Sequence, residues 1–173
     1  PKKGDWMAEV DRAIATLKGH DCDVYSLVFH PTGQHLVSAD LKGILKHWDV
    51  STKQQVRELN GKRFFVQQNN IRLGGVREMV FDSAGKTLVA SGMSGFGSIG
   101  DGIGAATVSL FDWASGLETH VLTPKEALRS FVVGARIHPA GFVLAATGGL
   151  DHEVERLPVA ARQPEAHERT GAR

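Results

Sequence analysis

Apolar and polar positions along the chain fall into short β-rich runs broken by tight turns, and the same layout recurs three times. The first recurrence reads Val24-Tyr25-Ser26-Leu27-Val28-Phe29, the turn His30-Pro31-Thr32-Gly33, then His35-Leu36-Val37-Ser38-Ala39. The second runs from Val76 to Phe81, turns through Asp82-Ser83-Ala84-Gly85, and continues from Thr87 to Gly92. The third runs from Phe131 to Ile137, turns through His138-Pro139-Ala140-Gly141, and continues from Phe142 to Thr147. Gly closes each turn because tight hairpins commonly require a positive φ there, and Pro fixes φ earlier in two of them. A third run follows in the first two units, Ile44 to Trp48 and Thr107 to Phe111, each ending in aromatic-Asp. A fourth follows each, Gln55 to Leu59 and Glu118 to Leu122. Repeated units of four antiparallel strands predict an all-β fold of propeller blades, about three of them, the third incomplete.

The residues at the ends of the first unit add a resemblance. Leu17-Lys18-Gly19-His20 resembles the opening Gly-His of the WD40 repeat family, and Trp48-Asp49 resembles its closing Trp-Asp, 28 residues after His20. With His30-Pro31-Thr32-Gly33 between them, the first unit is a specific match. The second keeps Phe111-Asp112 but has Gly74-Gly75 where Gly-His would stand, and the third keeps its turn and two strands without the closing pair. The resemblance covers roughly residues 11–149 and looks closest to divergent bacterial members. It implies that Gly19, His20, Ser38, Trp48, Asp49, Phe111 and Asp112 are structural repeat residues. It also implies a hydrogen-bonded set of His20, Ser38, Trp48 and a turn Asp. Counting back from Trp48, that Asp falls at Lys42, with Asp40 two residues earlier; either Asp40 reaches His20 across a shifted turn, or water satisfies His20.

These units divide the chain into an N-terminal extension (1–10), a lead-in strand plus first blade (11–59), a linking loop plus second blade (60–122), and a partial third blade (123–150). After Gly149 the β pattern stops. Residues 151–173 hold 9 charged side chains among 23 and no aromatic residue, which predicts a polar, disordered or irregular tail. His152–Arg156 and Gln163–Arg169 permit short helical turns there, without an apolar stripe to back them. Propellers close with about 4–8 blades. Three cannot close a ring and would leave apolar faces bare. The chain therefore reads as a piece of a longer propeller, or as a protomer that completes one by self-association.

Composition narrows the function. In 173 residues, 20 Lys and Arg nearly balance 19 Asp and Glu, so no global field recruits nucleic acid or an anionic membrane. A single cysteine excludes an internal disulfide and suits a reducing, cytoplasmic setting, and no apolar run is long enough for a membrane span.

In a four-strand meander the links between blades share one edge with the loops between second and third strands. Two long insertions fall on that face, Asn60 to Gly74 and Gly92 to Gly104, and long loops on rigid scaffolds are where recognition concentrates. Lys62, Arg63 and Arg72 beside Phe64 and Phe65, with Phe96 and Asp101 from the second insertion, make a candidate binding set. The blander alternative is that Phe64 and Phe65 tuck their loop onto blade edges. Gly95, Gly97 and Gly100 form a G-x-G-x-x-G, but a strand-like Ala105 to Phe111 follows instead of the helix that dinucleotide binding requires. His35 and His47 face each other on neighbouring strands, without the carboxylates a metal site would add. Cys22 lies between Asp21 and Asp23, whose charge disfavours a thiolate nucleophile. The reading is a non-catalytic scaffold that binds protein partners, with no catalytic residue, metal or cofactor. The alternative is part of a propeller enzyme, or of a multidomain enzyme, whose catalytic residues lie outside this chain.

Overall fold

A computed structural model of the chain describes residues 15–68, 70–95, 104–123, 130–149 and 154–158. Three antiparallel meanders follow one another. The first sheet runs in order β1 (Val24–Phe29), β2 (His35–Asp40), β3 (Ile44–Asp49) and β4 (Gln55–Asn60). The second contains β7 (Val76–Phe81), β8 (Thr87–Ser94), β9 (Ala105–Asp112) and β10 (Glu118–Leu122). The third contains β11 (Ser130–His138), β12 (Phe142–Gly149) and β13 (Val154–Pro158). Strand β1 packs beside β7, and β7 beside β11, so the first strands form the inner row of an arc. None of these sheets closes into a barrel: the fold is a partial β-propeller. The glycines ending the three β-turns, Gly33, Gly85 and Gly141, all have positive φ, as the turn chemistry predicts.

Two cores fill the seams between sheets. Val37, Leu45 and Leu59 of the first sheet meet Val76, Met79, Leu88 and Phe111 of the second. On the second sheet's other face, Val89, Val108 and Leu110 meet Val132, Ala135 and Val143 of the third. Strand registers put positions of the three units in correspondence: Leu36 pairs with Trp48, Leu88 with Phe111, and Val143 with Leu157. By the same ladders Leu27 corresponds to Met79, and Phe29 to Phe81. Met79 and Phe81 are 5% and 8% exposed against the first sheet, while Leu27 and Phe29, with no sheet beside them, are 63% and 56% exposed. At the other end Leu144 is 38% exposed where its counterparts Val37 and Val89 are fully buried. One repeat pattern thus yields core or surface according to whether a neighbouring sheet is present.

Two expectations need correction. The β pattern does not stop at Gly149, and Val154–Arg156 is not helical. Residues Val154–Pro158 form a third strand, paired with β12 from Ala146↔Val154 to Phe142↔Pro158. A strand at the edge of an arc is held by its backbone ladder and needs little apolar alternation, so Leu157, buried in the second core, was its faint signal. The remainder of the expected tail, 151–153 and 159–173, lies outside the described residues. Second, the link from Asn60 to Gly74 is not an open loop. Lys62–Phe64 make one 3-10 turn, and β5 (Phe65–Gln68) pairs with β6 (Ile71–Gly74) as a two-stranded hairpin. It turns through Asn70 at φ 65°, a conformation Asn tolerates, which makes Asn-Asn between two β-prone runs a hairpin signal.

Candidate functional site

The hairpin is clamped at its base. The Gly75 N–H donates to the Phe64 carbonyl at 2.7 Å, so the chain leaves the sheet at Phe64 and returns at Gly75 with the hairpin inserted between. Gly74 (φ 118°) passes so close that a Cβ there would lie 1.9 Å from the Phe64 carbonyl oxygen, which admits glycine alone. Phe64 is 0% exposed, packed in the first core. This corrects its nomination as a binding residue: its ring is an internal plug between the first two sheets, and the blander tucking alternative describes it. Phe65 is half-buried on β5, while Lys62 and Arg72 are exposed. Arg63 is committed to a fork, donating from Nε and Nη2 to the two Glu118 carboxylate oxygens at 2.7 and 2.5 Å. Burial opposes ionisation of Glu118, but the Arg63 guanidinium and the neighbouring Ser109 hydroxyl together hold the carboxyl below its usual range. Ile71, about half exposed near the hairpin tip, was not singled out by sequence reasoning. Phe96 and Asp101 lie outside the described residues.

The His20 set of the first unit assembles through Asp40. Trp48 Nε1–H donates to Ser38 Oγ at 2.8 Å, and Ser38 Oγ lies 2.7 Å from His20 Nε2. His20 Nδ1 lies 2.8 Å from Asp40 Oδ2, and a carboxylate only accepts, so Nδ1 carries a proton; in the neutral ring Nε2 then accepts from the Ser38 hydroxyl. Asp40 Oδ1 accepts from the Ile44 N–H at 3.0 Å. The chain of donors is complete, which is what allows its polar atoms to be buried. Asp40 reaches His20 from the end of β2, so Lys42 is not needed for the role. Gly19 lies under the Trp48 ring, where a Cβ would sit 3.2 Å from it.

Comparison with known proteins fits this geometry. Residues 11–49, which span His20 to Asp49, match the WD40 family (WD domain, G-beta repeat). The chain is a partial β-propeller whose first unit matches the WD40 family. It is 50% identical over 40 residues to the nuclear distribution protein nudF 2 of Talaromyces marneffei, a stretch that is 23% of this chain and 9% of that protein. It resembles the Cps50 (Swd1) β-propeller domain of Myceliophteria thermophila at a TM-score of 0.60 and 19% identity, covering 85% of this chain and 38% of that one. The RRP9 WD40 repeats match at a TM-score of 0.56 and 16% identity, covering 82% and 40%. The chain therefore spans about two-fifths of the propellers it resembles.

In the first two units, Asp49 and Asp112 organise the turn after the third strand. Asp49 Oδ1 accepts from Ser51 Oγ at 2.6 Å and from the Thr52 N–H at 2.8 Å, and these bonds hold its carboxyl down at about 2. Asp112 Oδ2 likewise accepts from the Ser115 hydroxyl and N–H at 2.6 and 2.7 Å, and its carboxyl is held low for the same reason. By register, the third blade has Leu157-Pro158 in place of this pair.

The seam between the first two blades is stuffed with aromatic rings. Trp113 stacks on His30 with centroids 5.3 Å apart, meets Phe81 edge-on at 5.0 Å, and lies 4.4 Å from His47. Arg57 covers the indole at 4.9 Å, bonded to the Trp113 and Ala114 carbonyls. His30 Nε2 donates to the Gly85 carbonyl at 3.0 Å, tying the two blades' turns together. His35 and His47 do face each other, 4.7 Å between centroids, and both His47 ring nitrogens are buried without partners. Burial first, then the adjoining His35, Arg57 and His30, pull the His47 pKa from 6.5 to about 4, with Asp49 opposing. Sequence reasoning missed Trp113 and Arg57, because the two meet only when blades pack. Among the described residues no group of three His, Cys, Asp or Glu side chains is placed to hold a metal ion, and no helix is long and apolar enough to cross a membrane.

Proposed function

We propose that this chain is a non-catalytic protein-interaction segment of a WD40 propeller, working in the cytoplasm, and that it engages partners through the face bearing the inter-blade links. The supporting observation is the β5–β6 hairpin, a separate two-stranded sheet inserted between the first two blades with Ile71 and Arg72 exposed. Its base is fixed by the Gly75–Phe64 hydrogen bond and the Arg63–Glu118 fork, so it presents its side chains in a set geometry. A rigid platform lowers the ordering cost of binding. Lys62, Phe65 and Arg72 supply cationic and aromatic contacts there, and Arg63 serves as the clamp.

Substituting Lys62, Phe65 and Arg72 together by Ala tests the reading. Quantitative cross-linking and pull-down are expected to lose bound proteins recovered by the unaltered chain, while the melting temperature stays unchanged. Equal recovery by both chains would rule the face out.

A further inference from the structure

On the opposite face, at the ends of the β1–β2 and β7–β8 turns, the two seams of the arc differ. The first is plugged by Trp113, held by His30, Phe81, His47 and Arg57 as described above. At the same place between the second and third blades lies a cleft of about 320 Å³, with Val80, Val89 and Ile137 in its wall and Asp82, Ser83 and Pro139 at its rim. Strand register explains why it is open. Asp82 follows Phe81 as His30 follows Phe29, and Thr87 and Leu110 stand where His35 and His47 do. Phe81 is matched by Ile137. Pro158 stands where Asp112, the partner of Thr87, does; the next residue in the sequence is Val159 where the second unit has Trp113, and no aromatic residue follows it. The second seam thus has a cleft where the first has an indole, and the sequence carries no Trp at the corresponding place.

The charge at the socket's mouth is negative. Arg136 is occupied by Glu78, 2.8 Å from its Nη1. Among the described residues Asp82 bonds backbone through Oδ1, to the Lys86 and Thr87 N–H groups at 2.7 and 3.1 Å, and its other carboxylate oxygen is the one set to meet a cation. In the plugged seam the indole also comes with a cation, Arg57.

We propose that this cleft takes an aromatic side chain of a partner polypeptide, an indole best of all, with a Lys or Arg next to it in sequence set against Asp82. The partner then supplies in trans the ring that Trp113 supplies in cis one seam away. Aromatic anchors in preformed pockets carry much of the energy of such contacts, and an added cation gives selectivity. The inference rests on the reading of this chain as an interaction module but uses the other face, so the hairpin substitutions leave it untouched and its failure leaves the hairpin reading standing.

The test is a titration of the full chain with three probes, acetyl-Lys-Trp-amide, acetyl-Glu-Trp-amide and acetyl-Lys-Ala-amide, followed by amide chemical shifts in NMR. The Lys-Trp probe is expected to give saturable shifts confined to Phe81, Asp82, Ser83, Ile137 and His138. Glu-Trp is expected to bind at least fivefold more weakly, and Lys-Ala to leave the spectrum unchanged. Asp82→Asn keeps the backbone-accepting oxygen, so the fold is retained, and it should bring Lys-Trp and Glu-Trp within twofold of each other. Absent shifts, shifts elsewhere, or equal response to all three probes would overturn the proposal. So would contacts between Val159 and the Val80 and Ile137 methyls that persist at saturating probe, because the chain would then fill its own cleft.

Discussion

The first and second blades place different chemistry at matching positions. In the first, His20, Ser38, Asp40 and Trp48 form a closed hydrogen-bonded set on the face away from the second blade. Register puts Ala90 at the Ser38 position, Gly92 at that of Asp40 and Phe111 at that of Trp48. Phe64, arriving just before the inserted hairpin, lies over Gly92 as His20 lies beside Asp40: a Cβ on Gly92 would be 3.2 Å from the Phe64 ring. The second blade has therefore exchanged a polar network for an apolar plug in the same socket. The first blade pairs the polar atoms of its set, and the second replaces Ser38, Asp40 and Trp48 with Ala90, Gly92 and Phe111, which bring no side-chain polar atom to the socket. The comparison predicts that truncation destabilises the two blades by different amounts and for different reasons.

The largest effect is expected in the second blade. Phe64→Ala removes a fully buried ring wedged among Leu45, Leu59, Val76 and Phe111. Such truncations cost about 3–5 kcal/mol through lost transfer energy and the cavity left behind. Chemical denaturation should show this loss, and Phe64→Leu should recover more than half of it, since volume is what the site requires. A cost below about 1 kcal/mol would mean that Phe64 is not the counterpart of His20 but a surface residue folded inward.

Truncation in the first blade acts through orphaned donors instead. Asp40→Ala leaves the His20 Nδ1–H and the Ile44 N–H without their acceptor, a cost of about 1–3 kcal/mol. The double variant His20→Phe with Asp40→Gly, which copies the second blade, should be more stable than Asp40→Ala alone. If the double variant is the less stable of the two in the same denaturation measurement, the sockets are not equivalent.

The legibility of these features follows from their range. The turns and the strands of the first two blades depend on neighbours close in sequence, so the Gly-ended turns and β-rich runs revealed them. Asp40 was legible as a candidate two residues out of place, and its ladder position is what brings it to His20. Phe64 beside Phe65 was ambiguous because composition cannot distinguish an anchor from a plug. That distinction depends on Gly74 and Gly75, whose positive φ values fold the hairpin back over Phe64. Strand β13 was hidden because a terminal strand has one neighbour and needs few apolar residues. Trp113 acquires its role only across a seam between blades, at a sequence distance of more than 60 residues from His47.

The smallest effect sharpens the same comparison on the opposite face of the first blade. His47 corresponds to Leu110 of the second blade, and its two ring nitrogens make no hydrogen bond to defend. Its folded pKa, about 4, lies below the unfolded value near 6.5. Below pH 6.5 the unfolded chain takes up a proton that the folded chain refuses, so this contribution to stability is complete above pH 6.5 and is lost as pH falls towards 4. His30, His35 and Arg57 face the ring with positive or protonatable groups, and Asp49 is the acidic group opposing them. His47→Leu should therefore leave the melting temperature at pH 7.5 within a few degrees of the original and reduce the drop between pH 7 and pH 4.5. Carboxylates elsewhere titrate identically in both chains and cancel in the difference. Superimposable acid limbs would mean that His47 admits its proton without loosening the seam, and that the polar and apolar versions of this position are interchangeable at every pH.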